Sequence, residues 1–326
     1  MKRRQLLLCG LLALPLPVAA QPRERLRRIG VLLPVPKDDP EYTDVLNAFR
    51  SALEQKGWAE GRNLRVDIRW AGGGADMNRK YAGELVALAP DVIFAAGASA
   101  VGPVLQVTRT IPVVFTIVPD PMGAGFVDNL ARPGGNATGL TSFDYGIGAK
   151  WLELLKEIAP GVRRVGVVRD ATTTAGVGQW SAIQTASQSY GVEASPINLT
   201  DAAEAERAVA NFARSLNGGL IVTSSGLAFA LRDTLVAAAG KHKLPAVYYA
   251  GAFVAAGGLV SYGPERRDQF RRAADYVDRI LRGEKPGELP VQAPTKYELV
   301  VHRRAAKAIG LTLPQTVLLK ADQVID

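Results

Sequence analysis

Ile29-Gly30-Val31-Leu32-Leu33-Pro34 is a short apolar run, rich in β-formers and closed by a proline. An unbroken apolar run of this length fits a strand covered on both faces. Downstream, Tyr42, Val45, Leu46, Phe49 and Leu53 recur at helical spacing, and Gly57 stops that helix. Leu64, Val66, Ile68 and Trp70 then alternate with charged residues, as in a strand nearer the edge of a sheet. Strand, helix and strand in this order make a βαβ unit, whose strands run parallel.

The pattern continues outward. Tyr81, Leu85, Val86 and Leu88 mark a helix ended before Pro90, residues 92–95 a buried strand, 101–107 a helix and 112–117 a strand. After a break near 140–145 the alternation resumes. Helices are expected at 151–158, 178–190, 202–216 and 227–239, with strands at 164–168, 192–199, 220–223 and 246–249. Alternating strands and helices predict a parallel sheet with helices on both faces. The 326 residues suit two such lobes better than one core. Residues 257–262 then read as a strand, and 265–282 as an amphipathic helix ended by Gly283 and Pro286. The tail adds an extended stretch at 289–301 and a helix at 303–309.

The expected fold class is therefore α/β: two doubly wound parallel-sheet lobes joined by a multi-strand hinge. Lobe 1 is expected to hold residues 26–141 and about 258–285; lobe 2, residues 142–257 and about 289–326. A hinge of several strands limits motion to opening and closing.

The first twenty residues read as an export signal. Lys2, Arg3 and Arg4 precede an apolar stretch from Leu6 to Leu16, and Val18-Ala19-Ala20 offers small residues for cleavage near Ala20. Arg3-Arg4-Gln5-Leu6-Leu7 loosely resembles a twin-arginine signal, and paired arginines also occur in plain basic leaders. Cys9 follows bulky Leu8 after too short an apolar stretch for a lipoprotein box. Cys9 is the only cysteine, so a mature chain would have no disulfide, thiolate or cysteine-metal chemistry. Loss of Lys2, Arg3 and Arg4 lowers the formal charge from +8 to +5, and Arg23, Arg25, Arg27 and Arg28 open the mature chain. With no basic run interleaved with aromatics, and no helix-turn-helix or zinc pattern, no nucleic-acid partner is expected.

Ligands of open parallel sheets bind beyond the carboxyl ends of the strands, where helix N-termini present free amides. The strand ends nominate Pro34-Val35, Gly97-Ala98-Ser99-Ala100, Val118-Pro119-Asp120-Pro121, Asp170, Ser224-Ser225 and Tyr248-Tyr249. From these, the candidate ligand-binding residues are Ser99, Ala100, Asp120, Ser224, Ser225 and Tyr249. Each has a second reading. Ser99, Ser224 and Ser225 can cap helices, Asp120 can close a turn between its two prolines, and Tyr249 can sit in the core. No catalytic residue, metal or cofactor is expected. His242 and His302, the two histidines, lie among basic residues without metal spacing, and no Gly-x-Ser-x-Gly elbow occurs. The glycines from Gly134 to Gly139 lack the Lys-Ser or Lys-Thr of a phosphate loop.

Several segments resemble the substrate-binding proteins of ABC transporters of the tryptophan/tyrosine-binding type. They are Trp58-Ala59-Glu60-Gly61-Arg62-Asn63-Leu64, Thr110-Ile111-Pro112-Val113-Val114-Phe115, Arg132-Pro133-Gly134-Gly135-Asn136-Ala137-Thr138-Gly139, Ile280-Leu281-Arg282-Gly283-Glu284-Lys285-Pro286 and Ala321-Asp322-Gln323-Val324-Ile325. The resemblance spans nearly the whole mature chain. It implies a type I periplasmic-binding-protein fold in a monomer, no enzymatic activity, a small-molecule ligand between the lobes, a periplasmic location and an ABC permease in the inner membrane as partner. One departure stands out: many members carry an acidic residue after the strand equivalent to 220–223, where this chain has Ser224-Ser225-Gly226. That opens the ligand to small carboxylates without an amine, aromatic acids among them. A secreted two-lobed α/β hydrolase and a ligand sensor for a membrane signalling protein are the alternative functions.

Overall fold

The computed structural model describes residues 25–72 and 74–326. The expected signal peptide, with Cys9 and the cleavage point near Ala20, lies outside the described residues.

The first lobe begins with β1 (Arg27–Leu33), α1 (Pro40–Gln55), β2 (Leu64–Trp70), α2 (Ala75–Ala87), β3 (Val92–Ala96), α3 (Ala98–Val107), β4 (Val113–Val118) and β5 (Ala137–Thr141). Its five strands are all parallel, in the order β2-β1-β3-β4-β5. The alternating strand β2 lies at an edge, where its charged face finds partners: Arg28 Nε bonds Asp67 at 2.7 Å. The apolar runs β1 and β3 lie inside, where every β3 residue is buried.

The second lobe continues with α4 (Ile147–Ile158), β6 (Arg164–Arg169), α5 (Thr174–Ser189), β7 (Glu193–Asn198), α6 (Ala202–Phe212), β8 (Gly218–Val222), α7 (Gly226–Ala230), α8 (Arg232–Lys241), β9 (Ala246–Tyr248), α9 (Gly251–Ala255) and β10 (Val260–Pro264). The chain ends with α10 (Arg266–Leu281), β11 (Tyr297–His302), α11 (Arg303–Ala308), α12 (Gln315–Lys320) and β12 (Gln323–Ile325). The second sheet has seven strands in the order β12-β11-β10-β9-β8-β6-β7. All its neighbours are parallel except β10 and β11, which pair antiparallel.

Two expected lobe boundaries are corrected by this topology. The strand expected to return to lobe 1 at about 258 instead pairs with β9, so it belongs to lobe 2. Only α10 returns, packing on α1, β3, β4 and β5. Likewise the stretch from 289 does not start in lobe 2. Leu289 and Gln292 carbonyls accept bonds from Thr138 and Thr141 of β5, and only β11 joins the second sheet. The reason is local: Val260 and Ser261 continue the parallel ladder of β9, which satisfies their backbone groups at once. The chain crosses between lobes after β5, at Glu265 and after Gln292.

A row of aromatic rings ties the lobes together. Phe49 stacks on Phe94 at 4.6 Å, Phe94 meets Phe270 edge-on at 5.2 Å, and Phe270 meets Tyr42 at 6.1 Å. Tyr42 then meets Phe229 of lobe 2 at 5.4 Å, and Phe229 meets Phe253 at 6.3 Å. Such pairs contribute about 0.5–1.5 kcal/mol each beyond buried area. The Tyr42–Phe229 member joins the two lobes directly.

Candidate ligand cleft

The carboxyl ends of β1, β3, β4, β6, β8 and β9 face one another across a cavity of about 290 Å3 between the lobes. On the lobe 1 side, Gly97 ends β3 and adopts a φ of 81°, a left-handed conformation that glycine takes without steric cost. Its own N–H donates to Thr116 O, and α3 starts at once with Ala98 and Ser99. The amides of these first helical residues have no carbonyl one turn back to bond, so they face the cavity as donors. Ser99 lines the cavity beside them.

On the lobe 2 side, Asp170 ends β6 and is buried. Its Oδ1 accepts from the Thr172 backbone N–H at 3.0 Å and hydroxyl at 2.6 Å. Among the described residues, Oδ2 makes no hydrogen bond. The loop after β8 adds Ser224 and Ser225. The Ser224 N–H donates to Gln179 Oε1 at 2.9 Å. Tyr249 closes the floor with its hydroxyl 3.2 Å from Ser225 O, and burial holds that phenol up at about 12.

Four of the six sequence candidates meet here: Ser99, Ser224, Ser225 and Tyr249 all line the cavity. The second reading holds for two of them, while Ser99 and Ser224 cap no helix: the N-cap of α3 is Gly97 and that of α7 is Ser225. The Ser225 hydroxyl caps α7 by accepting from Ala228 N–H at 2.9 Å, and Tyr249 is a buried ring. The other two candidates lie elsewhere. Ala100 is fully buried within the first turn of α3, and its N–H already donates to Gly97 O. Asp120 stands outside the cavity lining, its Oδ1 accepting from Gly123 N–H at 2.7 Å and its Oδ2 from Tyr145 hydroxyl at 2.9 Å. It is a turn-closing aspartate, as the flanking prolines allowed.

Three charged residues line the cavity: Arg79, Asp170 and Arg266. The sequence named Asp170 as a strand end but did not carry it into the site, and it missed Arg266 altogether. Arg266 looked like one more basic residue opening an amphipathic helix. The available signal was the position of Pro264-Glu265-Arg266 at a lobe crossing, legible only once β10 is placed in lobe 2. Its side chain is 8% exposed, with its guanidinium 4.6 Å from the Phe229 ring and 5.7 Å from those of Tyr42 and Tyr249. Burial is the strongest single influence and works against its charge, but Glu41 3.4 Å away, Tyr42 and Tyr249 together outweigh it and hold the guanidinium above its ordinary range.

The lobes are in contact around the cavity. Gly226 of α7 approaches Ser99 so closely that a β-carbon added to it would lie 3.3 Å from Ser99 Oγ. Arg232 of α8 bonds Asp39 Oδ2, while Asp39 Oδ1 caps α1 through Tyr42 N–H at 3.0 Å. A second cavity of about 650 Å3 lies behind, among the hinge crossings. Although larger, it is lined by five acids, Glu41, Asp44, Asp233, Glu265 and Glu298, whereas the interlobe cleft lies between the carboxyl ends of six strands and is the site where ligand chemistry converges.

The family model for ABC transporter substrate binding protein matches residues 28–325. The chain belongs to this family. This substrate-binding protein is 24% identical over 274 residues to the tyrosine-binding protein of Clostridioides difficile, covering 84% of this chain and 79% of that one. Its structure is similar to a conserved domain protein from Vibrio cholerae, with a TM-score of 0.86 and 28% identity over 92% of this chain and 100% of that one. It is also similar to the Streptococcus ABC domain in complex with L-Trp, with a TM-score of 0.85, 23% identity and coverage of 92% and 99%. The match confirms the type I periplasmic-binding-protein fold expected from the sequence.

Proposed function

We propose that this protein is the exported solute receptor of an ABC importer, closing on an amino-acid-like carboxylate and presenting it to a membrane permease. The observation that carries the reading is the cleft itself. Lobe 1 offers the Ser99 hydroxyl and the first amides of α3, which suit a carboxylate, and lobe 2 offers the free Oδ2 of Asp170, which suits an ammonium. Asp170 thus supplies the acidic group whose absence after β8 had opened the ligand to acids without an amine. Tyr42, Phe229 and Tyr249 provide apolar wall for a side chain. The tyrosine- and tryptophan-binding relatives support this ligand class, and the leader expected from the sequence supports a periplasmic location.

The test is a thermal-shift screen of residues 21–326 against L-amino acids and aromatic carboxylates, with calorimetric titration of each hit. Aromatic amino acids are expected among the tightest. Ser99→Ala is expected to weaken the best hit by about 1–3 kcal/mol, roughly 5- to 150-fold. Tight binding only of uncharged solutes would overturn the reading.

A further inference from the structure

We infer that Arg266 makes the cleft selective for anions: its guanidinium is the fixed positive charge against which the ligand carboxylate is seated. The inference rests on the proposed solute-binding role and names the residue that sets its ligand class.

Arg266 opens α10 at a lobe crossing, so the hinge fixes its place rather than a flexible loop. A guanidinium has five N–H donors and tolerates burial only when they are used. Here the Nε side faces Glu41 Oε1 at 3.4 Å, a long contact. Nη1 is buried with no hydrogen-bond partner, and so is Glu41 Oε2. The pair is thus unsaturated on both sides. An unpartnered buried donor on a charged group is costly enough to need a reason, and a bound anion supplies one.

The direction of approach follows from the charges around it. Arg266 walls both cavities. The hinge cavity also presents five acids, Glu41, Asp44, Asp233, Glu265 and Glu298, against the two further cations Arg232 and Arg267. An anion is repelled there. The cleft presents one acid, Asp170, on the opposite lobe, together with Arg79 and the α3 amides. An anion therefore reaches Arg266 from the cleft. Closure completes the pocket, because Tyr42 comes from lobe 1 while Phe229 and Tyr249 come from lobe 2. The other two cations of this region are already engaged, Arg232 by Asp39 and Arg267 by Asp44.

The test compares L-tryptophan and L-tyrosine with their carboxamides by calorimetry, on residues 21–326. The wild type is expected to prefer the carboxylate by about 10- to 150-fold, the range for a hydrogen bond to a charged group. Arg266→Gln is expected to bring that ratio close to one. A merely structural arginine would weaken acid and amide together and leave the ratio unchanged, which overturns the inference. Glu41→Gln removes the competing counter-ion with little change of shape, and is expected to raise the ratio several-fold. It carries the test if Arg266→Gln fails to fold, and an unchanged ratio in Glu41→Gln then overturns the inference. Failure of every carboxylate to bind the wild type would overturn the solute-binding reading itself, a result distinct from binding without discrimination.

Discussion

Gly226→Leu is expected to abolish measurable solute binding, at least about 1,000-fold, while leaving the melting temperature of the ligand-free protein nearly unchanged. Gly226 is the first residue of α7 and faces Ser99 across the cleft, with room for no more than a tight β-carbon 3.3 Å from Ser99 Oγ. A leucine would push three further carbons into the space between α7 and α3. In the open protein that space is solvent, so folding of either lobe is not opposed. In the closed protein the side chain meets the α3 terminus that is proposed to hold the carboxylate. Overpacking of a filled site costs about 1–3 kcal/mol, and here the added group also takes volume from a cavity of only about 290 Å3. Together these raise closure by at least about 4 kcal/mol, and apparent affinity falls with the fraction of closure-competent molecules. Calorimetry and solution scattering check this. The variant should bind nothing and should not contract with solute. Retained binding, or contraction on adding solute, would show that the lobes do not meet at this point. Gly226→Ala gives an internal scale: one carbon needs only a few tenths of an ångström of movement, so a modest loss is expected.

The fold was legible because its strands and helices are separated by hydrophobic period. Buried β1 and β3 are unbroken apolar runs, edge strand β2 alternates, and α1 shows helical spacing; each pattern reports which faces are covered. The lobe crossings were not legible in the same way. β10 is apolar whichever sheet it joins, and sheet membership depends on which backbone edge is free at that moment of the path. The site divides similarly. Ser99, Ser224, Ser225 and Tyr249 follow from the rule that ligands sit beyond strand ends, which needs only strand positions. Asp120 fits the same rule and fails, because Tyr145 and Gly123 claim its carboxylate in three dimensions. Arg266 escapes the rule because it opens a helix that changes lobe. No local pattern distinguishes a buried arginine from Arg267 beside it, whose side chain is 56% exposed.

Arg232→Met is expected to weaken solute binding on the order of 100-fold by removing the ion pair that joins the lobes beside the cleft. Asp39 belongs to lobe 1 and Arg232 to lobe 2, with the Asp39 side chain 2% exposed and that of Arg232 20% exposed. When the lobes part, both charges return to water. When they close, Asp39 is buried, and it depends on Arg232 because its other oxygen is committed to capping α1. Breaking a buried pair by removing one partner costs about 3–5 kcal/mol; the partial exposure of Arg232 places this pair at or below the lower end. Methionine keeps most of the apolar contact that Arg232 makes over the Phe229 ring at 4.8 Å, so the loss reports charge rather than packing. Because the open state is unaffected, ligand-free stability should change little while affinity falls. The double variant Asp39→Asn with Arg232→Met removes both charges and preserves the capping oxygen. It is expected to recover a large part of the lost affinity, since no unpaired carboxylate is then buried on closure. A double-mutant cycle by calorimetry measures this directly, and additive losses in the two single variants and the double variant would mean that the pair does not act as a closing contact.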